Sequence, residues 1–272
     1  MWPLPNIQGL TKTKYYNMSM IIRQMMQYAF DNNLVLTNEF ANVKVNSKMF
    51  VKKRKPEDYT QVFLVGEQEK IEEEIMKDLE VNDRNVVPLA IYLNFQLGLR
   101  ACELATIKFS DIHDKYIHIE RMEVKDYVLQ DDGTTKYNGL KVVPYTKSYA
   151  GDREIYLTNK ARDIISLVKS INLKHEYLDE DYIFINPYGN RASCNNIMKQ
   201  IEKYCYRIGI PAKRVHKIRK TYISTLIDNS ININKIRETV GHEDERTTLG
   251  NYTFNRLSDN ETEQAFENAL KL

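Results

Sequence analysis

The chain has 272 residues, 28% of them charged and 42% hydrophobic, values ordinary for a globular protein and long enough for two domains. No apolar run approaches bilayer-spanning length, and no basic stretch followed by an apolar one opens the chain as a secretory signal would. Cys102, Cys194 and Cys205 have neither paired spacing nor a CxxC, which argues against a disulfide framework or a structural zinc site and predicts a reducing, cytoplasmic setting.

Residues 1–10 carry two prolines and a glycine and read as irregular. Tyr15, Met18, Ile21, Ile22, Met25, Met26 and Phe30 recur at helical spacing and predict a helix over 11–32, closed by the DNN that follows. The basic, proline-containing stretch 48–65 reads as a linker. This sets a boundary near 60, with a helical piece at 1–60 and a second domain at 61–272. The acidic segment 67–80 predicts a helix, and 86–96 predicts a buried helix entered through a proline. A short helix is expected over 101–107. The period then changes: 115–156 is β-rich and broken by DDGTTKYNG, a hairpin-turn composition. Helical patterns return at 158–171, 193–208, 215–228, 231–240 and 244–252, with a last helix at 259–270. The expected fold is mainly α with a small antiparallel β-sheet.

Charge is distributed in blocks. The net charge is +2, yet residues 1–60 hold nine Lys/Arg against four Asp/Glu, and the run from Lys199 to Lys220 is opposed only by Glu202. Acid concentrates at 67–80 and after Asp259. Such blocks suit a protein with one DNA-facing side. The expected DNA contacts are Lys12, Lys14, Arg23, Lys52, Lys53, Arg54, Lys199, Lys203, Lys213, Arg214, Lys217 and Lys220. Charge alone fits solvated helix faces equally well.

Phosphoryl transfer without a metal needs a nucleophile, an acid for the leaving oxygen, and fixed positive charge around phosphorus. Arg is the natural source of that charge, because its planar fork donates bidentately and keeps its proton. Three segments offer such groups. In LGLRACELATI, Arg100 follows Gly98 at a helix start. In VHKIRKTYIST, His216 and Arg219 stand three apart on one helix face. In VGHEDERTTLGNYTF, Gly241 and His242 sit at a helix boundary and Tyr252 follows ten residues later. Each is weak alone, since HxxR is a common pattern and a lone Tyr usually packs. His113, His118 and His175 have no comparable context.

In this order and spacing the segments resemble the tyrosine recombinase family over roughly residues 65–260, and HKIRKTYIST and GHEDERTTLGNY look most like integrases of conjugative transposons. The resemblance implies a tyrosine-recombinase-like catalytic domain preceded by a partial core-DNA-binding domain whose start lies upstream. It also implies a Lys on a β-hairpin, commonly in KT, a turn, then R-x-I-P-L. VPYTKSYAGDREIYL matches with Lys147, Ser148 in place of Thr, and Tyr156 in place of Pro; Lys141 is the alternative.

The resemblance further implies a mechanism. Tyr252 attacks a DNA phosphate to form a 3′-phosphotyrosyl link, Lys147 protonates the leaving 5′ oxygen, Arg100, Arg219 and His242 bind the non-bridging oxygens, and His216 takes or positions the tyrosine proton. No cofactor, metal or ATP is implied, and the sequence holds no Walker motif. The implied partners are double-stranded DNA, further copies of the chain (a dimer to tetramer on DNA, with the tail at 259–272 packed in trans through Phe266, Leu270 and Leu272), and an accessory directionality factor. Nucleoid association would follow from DNA binding. A chromosome-dimer resolvase, a type IB topoisomerase and a catalytically decayed DNA-binding regulator are the competing readings.

Overall fold

The computed structural model describes residues 10–52, 56–177, 181–242 and 254–270. The chain divides into two compact units, Met1–Pro56 and Glu57–Leu272.

The first unit is built on α1 (Lys12–Asp31), which starts where the Thr11 hydroxyl accepts the Lys14 backbone N–H and stops at Asn32. Two 3₁₀ turns follow, Glu39–Asn42 and Ser47–Met49. Arg23 fastens the first of them to the helix, donating to the carbonyls of Ala41 and Val43 at 3.2 and 3.1 Å while lying over the Phe40 ring. Met18, Ile21, Met25 and Phe30 of the apolar stripe remain exposed, because among the described residues of this unit one helix and short turns offer no second layer to pack against.

The second unit is organised around α3 (Val87–Leu97). Almost all of its side chains are buried, and its first turn holds Pro88, where a missing N–H costs nothing. Around it pack α2 (Val65–Val81), α5 (Asn159–Lys174), α6 (Cys194–Arg207) and α7 (Val215–Asp228). Thr158 and Ser193 cap α5 and α6 with their hydroxyls. α8 (Ile233–Val240), capped by Asn232, rests on α7, and α9 (Asp259–Ala269) starts at Ser258.

The expected helix over 101–107 is a single turn, α4 (Ala101–Leu104). The Thr106 hydroxyl donates to Glu103 O at 2.9 Å and also lies 3.1 Å from Arg121 O, which ties the chain to the next loop instead of continuing the helix. The β-rich region forms two sheets. β1 (Ile112–His113), β2 (Tyr116–Ile119) and β5 (Arg153–Tyr156) make an antiparallel sheet in the order β1-β2-β5. β3 (Met122–Leu129) and β4 (Thr135–Val143) pair only with each other, as a hairpin turning through Gly133 at φ +79°. The helix expected at 244–252 lies outside the described residues.

The charge blocks, separate in sequence, meet in this unit. Asp78 of α2 pairs with Lys203 and Arg207 of α6, each at 2.5 Å, and accepts from the Tyr204 hydroxyl at 2.8 Å. Glu67 of the same helix pairs with Lys213. Desolvation raises the Asp78 carboxyl, but Arg207, Lys203 and Tyr204 outweigh it and hold it down at about 2. Much of the basic run 199–213 is therefore neutralised inside the fold.

Candidate active site

The site lies in the second unit, where four stretches distant in sequence meet: the turn between α3 and α4, the face of α7, the end of α8, and the loop between β4 and β5. Each is held there by an identifiable local device.

The α3–α4 turn carries Arg100. Gly98 ends α3 in the left-handed region (φ +61°), and a Cβ there would stand 2.4 Å from the Tyr222 ring of α7. Asn94, buried in a mostly apolar helix, accepts the Leu99 N–H at 2.7 Å and donates to Leu99 O at 3.2 Å, which fixes the next step of the chain. Arg100 then caps α4. Its guanidinium donates to Glu103 Oε1 at 2.7 Å and lies 3.4 Å from Gly241 O.

From α7 comes Arg219, whose side chain is only 1% exposed. It donates to Gly98 O at 3.0 Å and to Val240 O, joining the Arg100 turn to the end of α8. His216 lies one turn earlier on the same helix and stays open to solvent. Desolvation by the surrounding protein, then Arg219, Lys220, Lys217 and Arg100, push its imidazole down to about 4. Solvent contact screens part of this, and the ring is neutral at pH 7.

α8 ends at Gly241 (φ +65°), and the N–H of His242 reaches back to Arg237 O at 3.1 Å, closing the helix end. A Cβ on Gly241 would stand 2.6 Å from Ala150 O and 3.2 Å from Gly151 Cα, so glycine lets the end of α8 seat against the β4–β5 loop. His242 is buried, and desolvation, then Arg219, Arg100, Arg153 and His216, push it down to about 3. Both imidazoles feel the same arginines, which marks a single pocket of positive charge.

Lys147 occupies the β4–β5 loop and is exposed; among the described residues it has no ion pair. The Thr146 hydroxyl donates to Ser148 O at 2.8 Å across it, and a cleft of about 560 Å³ joins Tyr149 and Asp152 of this loop to Glu238 and His242 of the α8 end. Lys141 is elsewhere, on β4, paired at 2.6 Å with Asp126, which raises its pKa. Tyr252 lies outside the described residues.

Two groups assigned no role from sequence organise this pocket. Glu103 is 1% exposed and accepts from Arg100 at 2.7 Å and from Arg153 at 2.9 Å. Desolvation raises its carboxyl, but Arg153, Arg100 and Arg219 outweigh it and hold the group ionised. Arg153 heads β5 on its inward face, as Ile155 does. The strand alternation of REIY was the signal for a buried Arg.

The expected DNA contacts divide. Lys213 is a correction: it is 1% exposed, donates to Val62 O at 2.8 Å, pairs with Glu67, and lies over the Phe63 ring, so it is a core residue. Lys203 is held by Asp78. Lys217 and Lys220 both reach Gln61 Oε1. Desolvation, then Lys220 and Lys213, hold Lys217 below its ordinary pKa, the state of a cation that an incoming anion would relieve. Lys199 and Arg214 are exposed on the second unit, the latter 3.7 Å from Glu202. On the first unit, Lys14 and Lys52 are exposed, Lys12 lies near the Tyr16 ring, and Arg23 braces its own turn. Lys53 and Arg54 lie outside the described residues.

Residues 67–258 match the model of the phage integrase family. The XerC-like tyrosine recombinase of Caldanaerobacter subterraneus subsp. tengcongensis is 26% identical over 193 residues, covering 67% of this chain and 49% of the relative. The integrase of Staphylococcus phage L54a is 26% identical over 210 residues, covering 71% and 56%. The chain thus spans about half the length of these curated relatives. Among solved structures, the Tn1549 transposon integrase in complex with transposon right end DNA superposes with a TM-score of 0.66 at 16% identity, covering 97% of this chain and 81% of that one. The XerA recombinase gives 0.54 at 17% identity, covering 93% and 83%. These structural likenesses show the shared fold, mainly α with small antiparallel sheets.

Proposed function

The chain belongs to the phage integrase family, and from that premise we propose that it is a tyrosine site-specific recombinase that integrates and excises a mobile element through a 3′-phosphotyrosyl intermediate. The observation that carries this reading is the buried Arg219, whose guanidinium ties Gly98 O beside Arg100 to Val240 O beside His242. Separate motifs thereby share one rigid cationic pocket.

In that pocket Tyr252 attacks the phosphate in line and the bond from phosphorus to the 5′ oxygen breaks. Arg100 and Arg219 hold the non-bridging oxygens, and their fixed charge favours the transition state over the ground state. His242 adds a donor. His216, neutral at pH 7, accepts or orients the tyrosine proton. Lys147 protonates the 5′ oxygen. It suits that task better than Lys141, which is engaged by Asp126 on the hairpin. Lys199, Arg214, Lys217 and Lys220 contact the DNA backbone. The covalent link conserves the phosphodiester energy, so neither ATP nor a metal takes part.

The partners are double-stranded DNA and further copies of the chain. Phe266 on α9 and Leu270 just after it are exposed, apolar anchors suited to packing on a neighbouring copy. Several curated relatives are XerC recombinases, which makes a chromosome-dimer resolvase the second reading.

A nicked duplex carrying the DNA that flanks the chain's own coding sequence tests both readings. A covalent protein–DNA adduct is expected, formed in EDTA and lost in Tyr252→Phe with binding kept. No adduct on these ends, but one on a chromosomal dimer-resolution site, would transfer the assignment to the resolvase. Adduct formation by Tyr252→Phe would overturn the mechanism.

A further inference from the structure

Arg153 is 8% exposed, and its guanidinium spans three separate elements. Nη1 donates to Gly151 O of the Lys147 loop at 2.6 Å, Nε to Thr239 O in the last turn of α8 at 2.7 Å, and Nη2 to Glu103 Oε2 of α4 at 2.9 Å. Glu103 in turn holds Arg100. The loop fits tightly against this strut. A Cβ on Gly151 would stand 2.1 Å from Thr146 Oγ1, and one on Gly241 would meet Ala150 O at 2.6 Å and Arg153 Cδ at 3.2 Å. Lys147 itself has no partner of its own among the described residues, so the position of its ammonium is inherited from the loop.

We propose that Arg153 is the positioning residue that registers Lys147 against the phosphate-binding arginines, a role that rests on the recombinase reading above. The geometry separates two functions of the same pocket. Arg219 fixes the Arg100 turn to α8, and Arg153 fixes the Lys147 loop to both. In the cleavage step the Tyr252 oxygen bonds to phosphorus, the bond to the 5′ oxygen breaks, and that oxygen takes its proton from the Lys147 ammonium; the tyrosine proton passes to His216 or solvent. Displacing the loop interrupts only the delivery of the Lys147 proton.

That proton is needed because an alkoxide is a poor leaving group; a thiolate, whose thiol has a pKa of about 8.5, leaves without it. The test therefore compares two nicked duplexes, one with the ordinary 5′-bridging oxygen and one with bridging sulfur at the scissile phosphate. Arg153→Lys keeps a positive charge beside Glu103 but cannot reach all three acceptors. It is expected to form adduct about 100-fold more slowly than wild type on the oxygen duplex, a loss typical of removing general-acid help, and within a few-fold of wild type on the sulfur duplex, the pattern of Lys147→Ala. Equal slowing on both duplexes would mean that Arg153 acts on the whole clamp, and unchanged rates on both would mean that it is not needed; either overturns the proposal. Should Arg153→Lys melt early, the near-isosteric Thr146→Val, which loses only the hydrogen bond to Ser148 O, must show the same sulfur rescue in smaller measure, and its failure to do so overturns the proposal equally. A wild type inert on both duplexes would instead sink the recombinase reading itself.

Discussion

The α7 junction and the α6 surface lie within one basic stretch of sequence, and they use their charge in opposite ways. On α6 and just beyond it, Lys203, Arg207 and Lys213 are met by Asp78 and Glu67 of α2, so positive charge is spent joining two helices. At the α7 junction, Arg219 is bonded to the carbonyls of Gly98 and Val240. Carbonyls orient a guanidinium without cancelling its charge. Glu103 is an acid on this side, and it is shared by Arg100 and Arg153. A run of Lys and Arg thus says little about where a protein is positive. What neutralises each cation says more: burial lowers the pKa of His216 and His242 first, and Arg219 and Arg100 lower both further.

The largest effect is expected from Arg219→Met. It leaves two buried carbonyls unpaired, at about 1–3 kcal/mol each, and removes fixed charge from the proposed transition-state pocket. Adduct formation on the nicked duplex should fall by about 10³-fold or more, with a lower melting temperature. A variant that cleaves normally would show that the junction is only structural.

A smaller effect separates backbone strain from site packing. Gly241 and Gly209 both adopt positive φ, at +65° and +72°, but a Cβ at Gly209 meets nothing within 4 Å while one at Gly241 meets Ala150 O at 2.6 Å. Gly209→Ala should cost only the left-handed penalty, about 1–2 kcal/mol, and leave cleavage intact. Gly241→Ala should destabilise further and also slow the adduct, because it pushes the α8 end away from the Lys147 loop. Equal effects on stability and none on cleavage would show that the Lys147 loop does not depend on this close seating.

The described helices were legible in the sequence because their apolar period and caps are local: Thr11, Thr158 and Ser193 each stand just before the helix they start. Arg100, His216, Arg219 and His242 were legible as motifs, since glycine and spacing mark them. Partnership was not legible. The pairing of 67–80 with 199–213 depends on α2 packing beside α6, a tertiary fact that no local pattern encodes. The division of the β-rich region was hidden for the same reason, because β2 pairs with β5, beyond the whole β3–β4 hairpin, as well as with β1. Arg153 lay within reach, since its alternation with Ile155 placed it inward, but its three partners come from distant segments.

The mildest test asks whether buried and exposed lysines of the basic stretch can be told apart in solution. Lys213→Met removes a buried cation bonded to Val62 O and paired with Glu67, and should lower stability by about 1–3 kcal/mol. The salt dependence of DNA binding should not change, because an ammonium that is 1% exposed displaces no counterion. Lys199→Met reverses the pattern. Its side chain is exposed on α6, so stability should hold within about 0.5 kcal/mol, while the slope of log affinity against log salt should shrink by about one unit if Lys199 meets a phosphate. Denaturant melts and a salt titration on the same duplex read both quantities. If Lys213→Met alters the slope, its burial opens on DNA and the charge is not spent inside the fold; if Lys199→Met leaves the slope alone, the DNA path runs past α6 and rests on Lys217 and Lys220.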